Sequence, residues 1–130
     1  MDSGLFSDTF YRRVTFQRQI PYDFNPQRLR CVLKCVFSLS EEEAQVLAYL
    51  ITHERGGIAK DIASALGRNP EVVRRALRSL YARSLVIRRP YPLRRGGRAY
   101  LYQTPPELVK NVISICERIA SLEQTLMRTS

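Results

Sequence analysis

Two helical patterns separated by only three residues constrain the fold of this chain more than any other feature. The first pattern ends at Gly67, which suits the left-handed end of a helix. Asn69-Pro70 then supplies the N-cap and first-turn proline of a second helix over about residues 70–83. The spacing predicts either a helix-turn-helix or an ordinary αα-hairpin. The apolar positions expected to face inward are Ile62, Ala63 and Leu66 in the first helix and Val73, Ala76, Leu77 and Leu80 in the second.

The segment that follows decides between these two alternatives. Residues 85–89 (LVIRR) and 98–104 (RAYLYQT) are both β-prone, and the turn-rich tip between them ends in Gly96-Gly97. Two short strands around such a tip predict a β-hairpin. A helix-turn-helix followed at once by a hairpin is a winged helix, so we expect a mainly α fold with one small β-hairpin.

Further helices are predicted before this unit. Asn25-Pro26 and the capping box of Ser40 with Glu43 start helices over about residues 26–37 and 41–53. The residues that precede them are compatible with a strand, or with an ordered arm that lies on a partner subunit. We therefore expect an N-terminal arm and helix over residues 1–37, a winged helix-turn-helix domain over 38–104, and a C-terminal helix over 105–130.

The last helix, over about residues 106–128, carries an apolar seam with a 4-3-4-3-4 spacing. Such a seam is typical of helices that pair with each other, so it predicts a homodimer. The first half of the helix also fits packing on its own domain, whereas the second half is expected to contact a second copy. The seam residues are Leu108, Val112, Ile115, Ile119, Leu122 and Leu126.

The positive charge is concentrated in one segment. Residues 68–98 contain ten arginines and a single acid, Glu71, whereas the basic and acidic side chains of the remaining chain balance. A concentrated excess of this kind is the electrostatic footprint of a polyanion partner. The alternative is a solvated basic surface, or a general arginine bias of the source genome.

Four short motifs occur in order between residues 38 and 110. They comprise Leu39, Ser40, Glu43 and Ala44 at a helix start, Ile62, Ala63, Leu66 and Gly67 at the turn, Val73, Leu77 and Leu80 in the next helix, and Tyr100, Tyr102 and Pro106 after the hairpin. Together they resemble the winged-helix domain of archaeal TrmB-like regulators and, more loosely, MarR-type proteins. The resemblance implies a dimeric transcription regulator that reads the major groove of double-stranded DNA with the helix of residues 70–83.

Two departures from this family are visible. Ser84 stands after the predicted recognition helix, where the family has glycine, and a left-handed serine costs about 1 kcal/mol, which could change the shape of the turn. The sequence up to Ser130 holds no counterpart of the sugar-binding domain of larger members, so a sugar response is not expected. No effector is identified.

The resemblance assigns DNA-contacting roles to the arginine-rich segment. Arg74 and Arg78 share a helix face and are expected to read bases, whereas Arg75 would contact a phosphate. Glu71 would either accept from cytosine N4 or pair with Arg74 or Arg75. Of Arg88 and its neighbour Arg89, only one should face DNA, because side chains alternate along a strand. The full predicted set is Arg68, Asn69, Glu71, Arg74, Arg75 and Arg78 around the helix, with Arg88, Arg94, Arg95 and Arg98 in the wing, on phosphates or in the minor groove.

Other functions fit less well. A general chromatin- or RNA-binding winged helix would also be basic, and a winged helix can serve for protein contact in a transcription or replication complex. An enzyme is not expected, since there is one histidine, His53, and neither a P-loop nor a G-x-S-x-G motif. We expect neither a cofactor nor a metal, and we expect Cys31 and Cys35 to be small buried residues. No signal peptide or apolar span is evident, which predicts a cytoplasmic protein.

Overall fold

The computed structural model describes residues 26–129, with no side-chain description at residue 129. Within that range it confirms the mainly α fold with one antiparallel hairpin. The arm predicted before residue 26 lies outside the described residues. The elements are α1 (Pro26–Phe37), α2 (Glu41–Thr52), α3 (Ala59–Leu66), α4 (Pro70–Ala82), β1 (Ile87–Pro92), β2 (Arg98–Gln103) and α5 (Pro106–Thr129).

Local capping explains where the helices begin. At α2, Ser40 Oγ accepts from the Glu43 N–H at 3.2 Å, and the Ser40 N–H donates to Glu43 Oε1 at 2.9 Å. At α4, Asn69 Oδ1 accepts from the Glu71 N–H at 2.7 Å, and Pro70 occupies the first turn. Each cap satisfies a backbone donor that the helix leaves without a partner, so the predicted starts are confirmed.

Left-handed residues end the helices. Gly67 has φ 66° after α3 and Ser84 has φ 62° after α4, so serine adopts the turn that glycine favours. The Leu85 N–H donates to Leu80 O at 3.0 Å, which closes the end of α4 in a Schellman arrangement. The helix ends at Ala82, one residue earlier than predicted.

The first strand differs from its prediction. The sequence pattern predicts it over residues 85–89, whereas it lies at Ile87–Pro92. Leu85 is occupied in closing α4, so extended pairing starts only after it. The strand then continues through Pro90 and Pro92, which pair with Tyr100 and Arg98.

Both prolines occupy positions where no N–H is needed by β2. The Tyr102 N–H donates to Gly57 O at 2.9 Å, and Tyr102 O accepts from the Gly57 N–H at 3.0 Å, so the backbone polar groups of Tyr102 point away from β1. Its partner on β1, Arg88, therefore belongs to a non-hydrogen-bonded pair, and positions 90 and 92 repeat that type. A proline is tolerated at such positions because its missing donor would point away from the neighbouring strand.

The same Gly57–Tyr102 bridge attaches the hairpin to the helices. Gly57 lies two residues before α3, and Gly56 before it has φ 80°. A Cβ built on Gly56 would lie 2.2 Å from Tyr102 O and 2.5 Å from the Gln103 side chain. The backbone of the loop and that of β2 can therefore approach each other only because residue 56 has no side chain.

Helix α2 forms the centre of the core and packs against α1 and α4. The first half of α5 covers the same core through Val112 and Cys116, and burial raises the pKa of the Cys116 thiol to about 11. The thiol is therefore protonated and unreactive at neutral pH. The largest fully buried side chains are Leu33, Leu47, Leu50, Ile62, Leu77, Leu80, Val46, Val73, Val86, Val112 and Cys116.

The expectation that Cys31 and Cys35 are buried was wrong, because both are exposed. Helix α1 faces the core with Leu29 and Leu33. Cys31 and Cys35 each come two positions after one of these leucines, which places them about 200° away around the helix. In residues 26–129, no group of three or more His, Cys, Asp or Glu side chains could hold a metal ion. Within the same range, no helix is both long and apolar enough to cross a membrane.

Glu43 also joins α2 to α4, since Ser79 Oγ donates to Glu43 Oε2. This hydrogen bond, followed by that from the Ser40 N–H, holds the pKa of Glu43 below its ordinary value of 4.5. As the pH falls, Glu43 is therefore protonated at a higher pH in the unfolded chain than in the folded chain. The carboxylate stabilises the fold above about pH 4.5, and its contribution is lost as the pH falls through the folded pKa.

We expect Ser79→Ala to lower the free energy of unfolding by about 1 kcal/mol at pH 7. The difference from the wild type should shrink as the pH falls below about 4.5, because protonation of Glu43 removes the carboxylate that accepts from Ser79. Urea unfolding between about pH 3 and pH 7 measures this. Ser64→Ala, at an exposed position of α3, serves as the control. A loss of stability in Ser79→Ala that does not vary with pH would contradict the assignment.

Candidate nucleic-acid interface

Helix α4 has a buried face and a charged face. Val73, Leu77 and Leu80 are fully buried against the core. Glu71 and three arginines, Arg74, Arg75 and Arg78, are exposed on the other side. The helix therefore presents a basic surface on a rigidly packed element.

Polar contacts fix α4 and the turn before it against the N-terminal helices. The Arg83 guanidinium donates to Phe37 O at the end of α1. In the turn, Arg68 Nε donates to Gln45 Oε1 at 2.8 Å, and Arg68 Nη1 lies 3.6 Å from Glu42 Oε2. Arg68, predicted to contact DNA, is thus engaged with α2 in this structure.

Glu71 pairs with both of the predicted base-reading arginines. Its Oε1 lies 3.0 Å from Arg74 Nη1, and its Oε2 lies 3.8 Å from Arg78 Nη2. The pairing anticipated for Glu71 therefore includes Arg74, adds Arg78 and leaves out Arg75. These side chains are about half exposed or more, and exposed pairs are worth about 0.2–1 kcal/mol, so a ligand can displace them.

A groove of about 640 Å³ separates α4 from the hairpin. Its floor includes Ile58 and Ala59 at the start of α3. Helix α4 forms one wall and the two strands with their tip form the other. The charged residues lining it are Lys60, Asp61, Arg74, Arg78, Arg88, Arg94, Arg95 and Arg98.

The groove brings together six of the ten predicted site residues. Arg75 lies apart from them, in a second groove of about 320 Å³ beside Ser40 and Glu42. This separation follows from the roughly 100° between adjacent side chains on a helix. Arg68 and Asn69 do not line the larger groove.

Lys60 is a groove residue that sequence reasoning missed. It lies on the first turn of α3 and is exposed. Its signal in the sequence was a basic residue at the start of the first helix of the helix-turn-helix. That position approaches α4 and the hairpin only once the three elements are packed.

Arg88 is held differently from the other groove arginines. Its guanidinium carbon lies 4.0 Å from the ring centre of Tyr81 on α4 and 4.1 Å from that of Tyr100 on β2. A hydrogen bond to the Tyr102 phenol raises the pKa of Arg88. Arg89 is exposed and does not line the groove, so of these two neighbours Arg88 is the one that faces it.

The electrostatics of the groove favour an anionic ligand with repeated charges. Among its described lining residues, six arginines and one lysine face a single acid, Asp61. Arginine forks bind phosphate oxygens and guanine edges in pairs of hydrogen bonds. A nucleic-acid backbone supplies such groups at regular spacing.

No protein-family model and no curated protein matches the sequence. Solved structures share its fold and confirm the predicted fold class. A possible transcriptional regulator from Methanosarcina mazei Go1 matches with a TM-score of 0.56 at 20% identity, covering 78% of this chain and 88% of that one. MepR, a transcription regulator of the Staphylococcus aureus multidrug efflux pump MepA, matches with a TM-score of 0.56 at 24% identity, covering 96% and 85%. A MepR–DNA complex matches with a TM-score of 0.53 at 25% identity, covering 96% and 85%.

Proposed function

We propose that this chain is a double-stranded DNA-binding transcription regulator that acts as a homodimer. The observation that carries the proposal is the basic groove between α4 and the hairpin, which brings together arginines from both. The structural neighbours support it, since they are described as transcription regulators and one was solved with DNA. The MarR-type resemblance of the sequence agrees with these neighbours, while the TrmB-like one stays a prediction.

Helix α4 is the proposed recognition helix. It is 13 residues long, and B-DNA admits an α-helix in its major groove. Arg74 and Arg78 are proposed to read bases, and Arg75, on the α2 side, to contact a phosphate. Glu71 holds the two base readers in the absence of DNA and is free to exchange one of them for a cytosine amine.

The hairpin is the proposed wing. Arg94, Arg95 and Arg98 lie at its exposed tip, where they can contact phosphates or the minor groove beside the helix. Lys60 adds a phosphate contact at the start of α3. Because these cations come from separate elements, the groove can follow a duplex over more than one backbone segment.

The second half of α5 is the proposed dimer contact. Leu122 and Leu126 are each 58% exposed, although they continue the seam that Leu108 and Val112 begin in the core. Ile115 and Ile119 between them are half-buried. A second copy of α5 would cover this stripe, and the two recognition helices would then read two related half-sites.

The test is a fluorescence-anisotropy titration at several salt concentrations. Duplexes from the region upstream of the protein's own gene are compared with scrambled duplexes, for wild type, Arg74→Ala and Arg118→Ala. Arg118 is exposed on α5, so Arg118→Ala removes one positive charge at a position outside the groove. We expect at least about tenfold preference for the upstream duplex, relaxed about tenfold by Arg74→Ala and unchanged by Arg118→Ala.

Other outcomes identify other functions. Equal, steeply salt-dependent binding to both duplexes would indicate a general chromatin- or RNA-binding protein, which a parallel titration with RNA would separate. A lack of binding to any nucleic acid at moderate salt would overturn the proposal and point to a winged helix used for protein contact. No catalytic role, cofactor or effector forms part of the proposal.

A further inference from the structure

The wing has little apolar anchorage. Among the six residues of β1, Arg88 is the one that is partly buried, and the other five are exposed. On β2, Tyr102 is the buried residue, and its backbone forms the bridge to Gly57. The orientation of the hairpin relative to α4 therefore depends on few interactions.

Arg88 supplies an interaction that joins the hairpin to α4. Its guanidinium carbon lies over two aromatic rings, one from the last turn of α4 and one from β2, at 4.0 and 4.1 Å from the ring centres. Tyr81 is the ring on α4 and Tyr100 the ring on β2. The set of Arg88, Tyr81 and Tyr100 is called the wing clamp below.

We propose that Arg88 is a positioning residue that fixes the wing against the recognition helix. This inference rests on the proposed DNA-binding function, because the clamp would set the distance between the arginines of the wing tip and those of α4. This role of Arg88 differs from the direct DNA contact that was expected from the sequence of the chain. The Arg88 guanidinium carbon lies within about 4 Å of the centres of two rings, whereas the tip arginines are exposed.

The chemistry of the clamp requires arginine. A planar guanidinium can stack on two rings at once, whereas a lysine ammonium is a compact, strongly hydrated point charge. Arg88→Lys therefore keeps the charge and loses the clamp. Tyr81→Leu also removes the clamp and changes no charge, whereas Tyr81→Phe keeps the ring.

The opposite side of β1 provides matched controls. Arg89 and Tyr91 are exposed and alternate with Arg88 along the strand, so their side chains point to the other face. Arg89→Lys and Tyr91→Leu repeat the same chemical changes away from the clamp. Thermal melting of all five variants verifies that each is folded.

The first readout is the salt dependence of DNA binding. The slope of log K against log salt becomes shallower by about 0.9 for each phosphate that the protein no longer neutralises. We expect Arg88→Lys and Tyr81→Leu to neutralise about two fewer phosphates and to bind about tenfold more weakly, because the tip arginines move away together. Tyr81→Phe and the two controls should match the wild type.

The second readout needs no DNA. Hydrogen exchange followed by mass spectrometry reports local opening of the hairpin, residues 87–103. Exchange there should become about fivefold faster or more in Arg88→Lys and Tyr81→Leu, and stay unchanged in Tyr81→Phe and in the controls.

The outcomes separate the two proposals. If the wild type binds DNA but Arg88→Lys and Tyr81→Leu keep its salt slope and exchange rates, the clamp is overturned and the DNA-binding function stands. If the wild type does not bind DNA, the proposed function fails, and exchange alone decides whether Arg88 fixes the hairpin. A Tyr81→Phe variant that behaves like Tyr81→Leu would also overturn the clamp, since the ring would then be irrelevant.

Discussion

Gly56→Ala is expected to lower the free energy of unfolding by about 3 kcal/mol. The residue has φ 80°, which costs an L-residue about 1 kcal/mol. Its new Cβ would also meet Tyr102 O at 2.2 Å, a clash with backbone that cannot move without breaking the Gly57–Tyr102 bridge. Overpacking of this kind costs about 1–3 kcal/mol more.

Gly67→Ala is the matched control, since Gly67 has φ 66° and a Cβ there would meet nothing within 4 Å. It should lose about 1 kcal/mol, from backbone conformation alone. Urea unfolding of both variants measures the difference, and hydrogen exchange should show faster opening of β2 in Gly56→Ala only. Equal losses in the two variants would mean that the close approach at Gly56 relaxes at no cost.

Replacing Leu122 and Leu126 together by glutamate is expected to convert the proposed dimer into a folded monomer. The four acidic side chains that two copies would bring together cannot be buried without partners. Both leucines are 58% exposed, so the isolated domain should lose little stability. Affinity for a duplex with two half-sites should fall by roughly 100-fold or more, because the second recognition helix no longer binds as part of the same molecule.

Ser121→Glu with Gln124→Glu is the control, because it adds two charges to exposed positions on another side of the same helix turns. Analytical ultracentrifugation reports the mass, and anisotropy compares duplexes with one and two half-sites. The control variant should remain a dimer with wild-type affinity. A leucine variant that stays dimeric would place the interface elsewhere and contradict the assignment of the α5 seam.

The helices could be predicted because their boundaries depend on neighbouring residues in the sequence. Ser40 reaches Glu43 within one turn, and Asn69 reaches the Glu71 N–H two residues on. The left-handed end at Gly67 is also local. None of these signals requires knowledge of the tertiary structure.

The predictions from the sequence were wrong where an interaction with another part of the fold determined the local structure. Leu85 looks β-prone, but its N–H closes α4 and delays the strand. Pro90 argues against a strand until the register shows that its position needs no donor toward β2. Cys31 is apolar enough for a core, yet Leu29 and Leu33 already define the inward face of α1.

The candidate site was only partly accessible from the sequence. The concentration of arginines in residues 68–98 indicated where a polyanion would bind, and the groove contains six of the predicted residues. The pairing of Glu71 with Arg78, the stacking of Arg88 and the approach of Lys60 depend on how α3, α4 and the hairpin pack together. The order of residues in the sequence gives no information about the distances between these elements.

The prolines of β1 have a consequence for solubility. The outer edge of this strand would offer N–H groups at positions 88, 90 and 92, and proline removes two of them. An exposed strand edge with all its donors can recruit a strand from another molecule and start aggregation. Pro90 and Pro92 make this edge a poor template, so the hairpin can project from the domain toward a ligand without adhering to its neighbours in a crowded solution.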